Sequence, residues 1–108
     1  MKIIFKTEEL TYFYVTPLDE IKGKLPVQKD IIKQFKKKVQ ILMNIKVLEE
    51  LKQFQSLNFE ALKGDRENEY SIRLNLQYRM IFSVIKEEDG TLIIEAILIQ
   101  EISKHYEK

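Results

Sequence analysis

Three arginines, Arg66, Arg73 and Arg79, stand close together in the C-terminal half of the chain. Their planar forks bind phosphate bidentately, which lysine does less well. Two of them are placed by a period of two. Tyr70, Ile72 and Leu74 alternate with Ser71, Arg73 and Asn75, and Tyr78, Met80, Phe82 and Val84 with Arg79, Ile81 and Ser83. If Asn75-Leu76-Gln77 is the turn, Arg73 and Arg79 are cross-strand neighbours on one face. Like charges directly opposite are destabilising. A sheet that keeps them either holds an anion between them, or splays them into water or pairs them with Glu95 or Glu69. The densest basic stretch, with Lys33, Lys36, Lys37 and Lys38, reads as a solvated helix face or as a phosphate-facing patch. His105 and Tyr106 lie in a short polar tail.

What the chain lacks narrows the chemistry. Without cysteine there is no disulfide scaffold, thiolate nucleophile or cysteine zinc site. One histidine rules out a multi-histidine metal site within one chain, and three glycines form no phosphate loop. The expectation is a small, cytoplasmic domain with no cofactor and no metal. The 108 residues fit a single domain, 1–108. No apolar run is long enough for a membrane helix, and Met1 to Lys6 does not read as a signal peptide. Net charge is +1, low for a dedicated nucleic-acid binder. It divides unevenly: residues 1–58 carry eleven lysines against seven acids, and residues 59–108 seven bases against ten acids.

The elements that must carry these residues follow from periodicity. Residues 2–6 read as a short strand. Thr7 fits an N-cap before Glu8 and Glu9, opening a short helix through Tyr14. Thr16 to Leu25, with Pro17 and Gly23, is a loop. Ile31, Phe35, Val39 and Leu42 recur at spacings of four, four and three, one face of a helix. Ile45, Leu48, Leu51 and Phe54 follow at spacings of three. Two helices, or one bent helix, therefore run from about 27 to 55. After the polar turn 62–66 come three strands, with Glu88-Asp89-Gly90 as a hairpin turn and an apolar, central third strand from Leu92 to Ile99. Helices followed by a meander predict an α+β fold, an antiparallel sheet with two main helices packed on one face.

The segment from Phe59 to Phe82 then resembles the RelE/ParE superfamily of bacterial type II toxins, most closely its HigB-like branch. The resemblance rests on Leu62-Lys-Gly-Asp-Arg66, Tyr70-Ser-Ile-Arg73 and Tyr78-Arg-Met-Ile-Phe82, and the terminal His105-Tyr106 looks like the ending of YoeB-type toxins. It covers about 27–108, and residues 7–26 read as an N-terminal embellishment. The resemblance implies a RelE-like fold and ribosome-dependent, metal-independent cleavage of mRNA that inhibits translation. In that chemistry a base helps the ribose 2′-OH attack the adjacent phosphate, cations stabilise the charged transition state, and an acid protonates the leaving 5′-oxygen.

By resemblance, Glu60 would be the general base, Arg79 the phosphate stabiliser, His105 the general acid and Tyr106 the residue that orients the nucleotide. Lys63, Arg73 and Arg66 would bind substrate phosphates, and the basic helix stretch itself offers Lys33, Lys36 and Lys37 as candidates for contact with ribosomal RNA. Plainer readings stand beside these: a merely solvated Glu60, a surface Lys63, a Tyr106 folded back on the core, an Asp65–Arg66 ion pair. The resemblance also implies a cognate antitoxin, for HigB-like members a helix-turn-helix, HigA-like protein, and contact with DNA only through it. The alternative is a ParE-like, non-enzymatic inhibitor of DNA gyrase on the same fold.

Overall fold

The computed structural model describes residues 1–23, 25, 27–90 and 92–104. Its strands are β1 (Lys2–Phe5), β2 (Glu60–Ala61), β3 (Glu69–Arg73), β4 (Tyr78–Asp89) and β5 (Leu92–Lys104). Its α-helices are α1 (Glu8–Val15) and α2 (Lys29–Asn44), and 3₁₀ turns cover Leu18–Glu20, Leu48–Gln53, Gln55–Leu57 and Gly64–Arg66. Among the described residues the sheet has five strands in the order β1-β5-β4-β3-β2. The fold is α+β, as the sequence predicts, with one correction: the sheet is mixed. β2 to β5 form an antiparallel meander, whereas β1 lies parallel to β5. A parallel neighbour needs a long crossover, and here most of the chain lies between the two strands.

The N-terminal elements form for local reasons. The Thr7 hydroxyl accepts from the Leu10 N–H at 3.2 Å, and Glu8 and Glu9 complement the helix dipole. α2 buries Ile31, Ile32, Phe35, Val39 and Leu42. They join Ile72, Leu74, Met80, Phe82, Ile97 and Ile99 of the sheet in one apolar cluster. Segment 7–26, expected as an embellishment, contributes Leu10, Phe13 and Ile21 to that core.

Beyond α2 the expected second helix is corrected to 3₁₀ turns. The spacing of three in Ile45, Leu48 and Leu51 is the period of a 3₁₀ helix, in which residues i and i+3 eclipse. The Glu50 carboxylate accepts from the Lys46 and Val47 N–H groups and caps the first of these turns. Asn58, at φ +48 and ψ +49, ends the run in the left-handed region. Ile45 and Leu51 are buried, but Phe54 is largely exposed.

The sheet's register decides what reaches its other face. Tyr70 pairs with Phe82, Ile72 with Met80, and Arg73 with Arg79. The turn between β3 and β4 is closed by the Asn75 carboxamide oxygen, which accepts from the Gln77 and Tyr78 N–H groups. The β4–β5 hairpin turns at Gly90, whose φ of +64 suits glycine. β5 runs on to Lys104, past the expected end at Ile99, and its register shifts once. Ile81 faces Glu101, but Phe82 faces Ile99, so Gln100 is the extra residue of a bulge. Because of that shift Ile97, Ile99 and Ile102 all pack on the core, while Glu101 and Ser103 stand opposite Ile81 and Arg79.

Candidate functional site

On the face away from the helices, three strands bring Glu60, Ser71, Arg73 and Arg79 together. Glu60 of β2 pairs with Ser71 of β3, and Arg73 of β3 with Arg79 of β4. One nitrogen of Arg79, Nη1, donates to Glu60 Oε1 and to Ser71 Oγ, each at 2.9 Å. The arginine side chain is only 12% exposed, while that of Glu60 is 52% exposed. Ser71 is fully buried, so the cation is anchored at its inner end and its carboxylate partner stays open to solvent. Arg73 has no hydrogen-bond or ion-pair partner among the described residues. Of the alternatives left by the sequence, Glu69 does not pair with Arg73, because it is held by Arg66. One of the two facing charges is therefore balanced by Glu60 and the other is available to an anion.

The short β2 and Ser71 are what the sequence reading missed. Ser71 shows in the alternation, on the same face as Arg73, but nothing in that pattern says that its hydroxyl meets Arg79. The contact depends on the register between β3 and β4, which a two-residue shift would abolish.

The loop joining β2 to β3 carries Lys63 and Arg66. Lys63 is exposed at the entry to the 3₁₀ turn, with no ion-pair partner among the described residues. Arg66 is placed differently from Arg73. Its Nε and Nη2 donate to the two oxygens of Glu69 at 3.1 and 3.2 Å, and Nη2 also donates to Glu101 at 3.1 Å. Its pKa is raised, chiefly by the hydrogen bonds to Glu69 and then by the one to Glu101.

The basic stretch of α2 divides as well. The Lys36 ammonium donates to the carbonyls of Tyr14 and Thr16 at the C-terminal end of α1. Lys38 donates to Gln34, and burial first, with Lys37 second, lowers its pKa. Lys33 and Lys37 are exposed, four residues apart on one side of the helix. His105 and Tyr106 lie outside the described residues. The described part of β5 ends with Ser103 and Lys104 opposite Arg79 and Tyr78.

A cleft of about 270 Å³ opens beside Glu60, lined also by Lys52, Phe59 and Tyr70. That is small for an enclosed ligand pocket. The rings of Phe59, Tyr70 and Phe82 stack on one another with centroids 5.6 to 6.4 Å apart. Among the described residues no group of three His, Cys, Asp or Glu side chains could hold a metal ion, and no helix is long and apolar enough to cross a membrane.

The sequence matches, over residues 3–95, the model of a family described as the RelE-like toxin of the type II toxin-antitoxin system HigB. No curated protein matches. Two solved structures are similar. A YoeB/ParE toxin from Agrobacterium tumefaciens is 15% identical, with a TM-score of 0.51 over 98% of this chain and 100% of that one. A YoeB dimer from Staphylococcus aureus is 19% identical, with a TM-score of 0.48 over 98% of each chain. At 15% identity the first likeness is one of fold.

Proposed function

The chain belongs to the HigB family of RelE-like toxins of type II toxin-antitoxin systems, and from that premise we propose that it is a ribosome-dependent, metal-independent mRNA endoribonuclease. Membership of such a family implies an antitoxin partner. A helix-turn-helix antitoxin, and repression of the operon's promoter through it, belong to the proposal.

One observation carries the reading. On the helix-free face an exposed carboxylate meets a buried-end arginine at 2.9 Å, and a second arginine without a partner among the described residues stands directly opposite. A gyrase inhibitor that does no chemistry has no need of a carboxylate and a phosphate clamp in contact.

In the proposed reaction Glu60 takes the proton of the ribose 2′-OH. The 2′-oxygen then bonds to phosphorus, the bond from phosphorus to the 5′-oxygen breaks, and a 2′,3′-cyclic phosphate is left. Arg79 stabilises the charge that builds on the non-bridging oxygens. Its Nη1 hydrogens are engaged by Glu60 and Ser71, and three N–H groups of the fork remain for phosphate. Arg73 and Lys63 bind the flanking phosphates. The resemblance assigns protonation of the leaving 5′-oxygen to His105, since an imidazole can carry a proton near neutral pH, and orientation of the nucleotide to Tyr106. Lys33 and Lys37 would face ribosomal RNA from the opposite side of the molecule. Lys36 leaves that group, since its ammonium closes α1.

The test is primer extension on a reporter mRNA in a translating extract, with wild type, Arg79→Ala and His105→Ala. Cuts within codons that need ribosomes, survive a metal chelator and vanish in both variants are the expected result. No cuts from folded wild-type protein would refute the proposal.

A further inference from the structure

Arg66 is held where a substrate phosphate is poorly received. It stands between two carboxylates, bidentate to Glu69 and singly bonded to Glu101. The trio carries a net negative charge, which repels phosphate. The geometry of the trio is instead that of a brace. Glu69 belongs to β3, opposite Ser83 of β4, and Glu101 to β5, opposite Ile81 of β4. The guanidinium therefore bridges two strands across the one between them, a span of about 10 Å at ordinary strand spacing. On this face, where neither α-helix packs, Ile81 is still only 4% exposed and Ser71 is fully buried. Ser71 and Ile81 are themselves register partners, and Ser71 is the inner anchor of Arg79.

We infer that Arg66 is a positioning residue: with Glu69 and Glu101 it clamps β3 and β5 across β4 and keeps dry the Ser71 hydroxyl that aims Arg79 at Glu60. This rests on the endoribonuclease reading. The side chains of Arg66 and Glu101 are 43% and 46% exposed, and such ion pairs contribute little to global stability. The clamp acts on geometry, and small misplacements of a catalytic group cost rate steeply.

The test measures single-turnover cleavage on mRNA-programmed ribosomes, as a function of ribosome concentration and salt. Wild type is compared with Arg66→Gln, Glu101→Gln, the double variant and Arg66→Lys. Each single glutamine variant should lower the saturating rate about 10-fold and leave the half-saturating concentration and the salt slope unchanged. The double variant should be no worse than either single, because both break one unit. Arg66→Lys, which keeps the charge and loses the fork, should recover part of the rate.

A phosphate-binding Arg66 predicts the opposite pattern. Arg66→Gln would raise the half-saturating concentration and flatten the salt slope by about one, while Glu101→Gln would free the guanidinium and tighten binding. That result, or wild-type rates in both singles, overturns the inference. Amide hydrogen exchange without RNA separates it from the parent reading. If wild type does not cut, the endoribonuclease proposal fails. The clamp then stands or falls on whether Arg66→Gln loosens the amides around Ser71 and Ile81 in a protein that still melts cooperatively.

Discussion

Both hydrogens of the Arg79 Nη1 are engaged, one by Glu60 and one by Ser71, and that makes the three residues separable by experiment. Arg79→Ala removes the transition-state cation and should lower cleavage on the order of 100-fold or more, measured in single turnover on programmed ribosomes. Ser71→Ala leaves the cation and removes only its buried anchor. A hydrogen bond to a charged group contributes about 1.5–3 kcal/mol, and the loss falls here on aim rather than on charge. The expected drop is therefore smaller, about 10-fold in the same assay, with ribosome binding unchanged. Equal losses in the two variants would mean that Ser71 does more than hold Arg79. The sequence made part of this legible. Alternation and a three-residue turn were enough to set Arg73 opposite Arg79, since a period of two and a turn length define a register. The Glu60–Arg79 contact was not legible from pattern, because β2 has only two residues, Glu60 and Ala61, too few for any alternation to register. Only the family resemblance points to Glu60. Arg66 could not be told from Arg73 by residue type or position, because what separates them is the placement of Glu69 and Glu101.

At the scale of elements, two charged side chains, Lys36 and Glu50, serve helix ends. α1 has no basic residue in its last turn, and Lys36 reaches across from α2 to two carbonyls there. Lys36→Met keeps the stem and deletes the ammonium. It should cost about 1–2 kcal/mol, read as a lower urea midpoint, and leave ribosome association intact, whereas an RNA-contacting lysine would show the reverse. Glu50 plays the corresponding part for the 3₁₀ turn Leu48–Gln53. The Val47 N–H first and the Lys46 N–H second hold its carboxyl below the ordinary carboxylate pKa. A pKa depressed in the fold gives stability that is complete above the unfolded value and lost as pH falls through the folded one. The gap in urea midpoint between wild type and Glu50→Gln should thus be open at neutral pH and close below about pH 4; a gap that persists in acid would mean that the carboxylate's charge is not what caps the turn. The same region shows why the helix reading overreached. Ile45, Leu48 and Leu51 repeat at three, a spacing that α and 3₁₀ geometry share in a short window, and only the backbone bonds distinguish them. Lys36 likewise carries the same sequence signature as Lys33 and Lys37, and only the packing of α1 against α2 turns it inward.

The whole molecule measures 44 × 34 × 27 Å, and its long axis is close to the length of the β4–β5 hairpin, about 40 Å for twelve residues of strand. That hairpin gives the molecule its two sides. The helices cover one face of the sheet around Phe35 and Phe82, both fully buried, and the other face carries Arg73 and Arg79. Lys33 and Lys37 project from the helical layer, so positive charge is presented on both sides of a chain whose net charge is only +1. The net figure alone argues against nucleic acid, but local clustering governs association, since fields from exposed charges fade within about 8 Å at physiological salt. The two basic sets are therefore expected to act in different steps. Lys33→Ala/Lys37→Ala should weaken ribosome association and reduce the slope of log affinity against log salt by about two, with the cleavage rate of bound complexes unchanged. Arg79→Ala should lower that rate on the order of 100-fold or more and alter the slope by about one at most, because its charge is already partly balanced by Glu60 at 2.9 Å. Sedimentation with programmed ribosomes over a range of salt, followed by single-turnover cleavage, reads both quantities from one preparation. If the lysine pair instead changes the bound-state rate and not the slope, α2 is not the docking face and the long-range contact lies on the sheet.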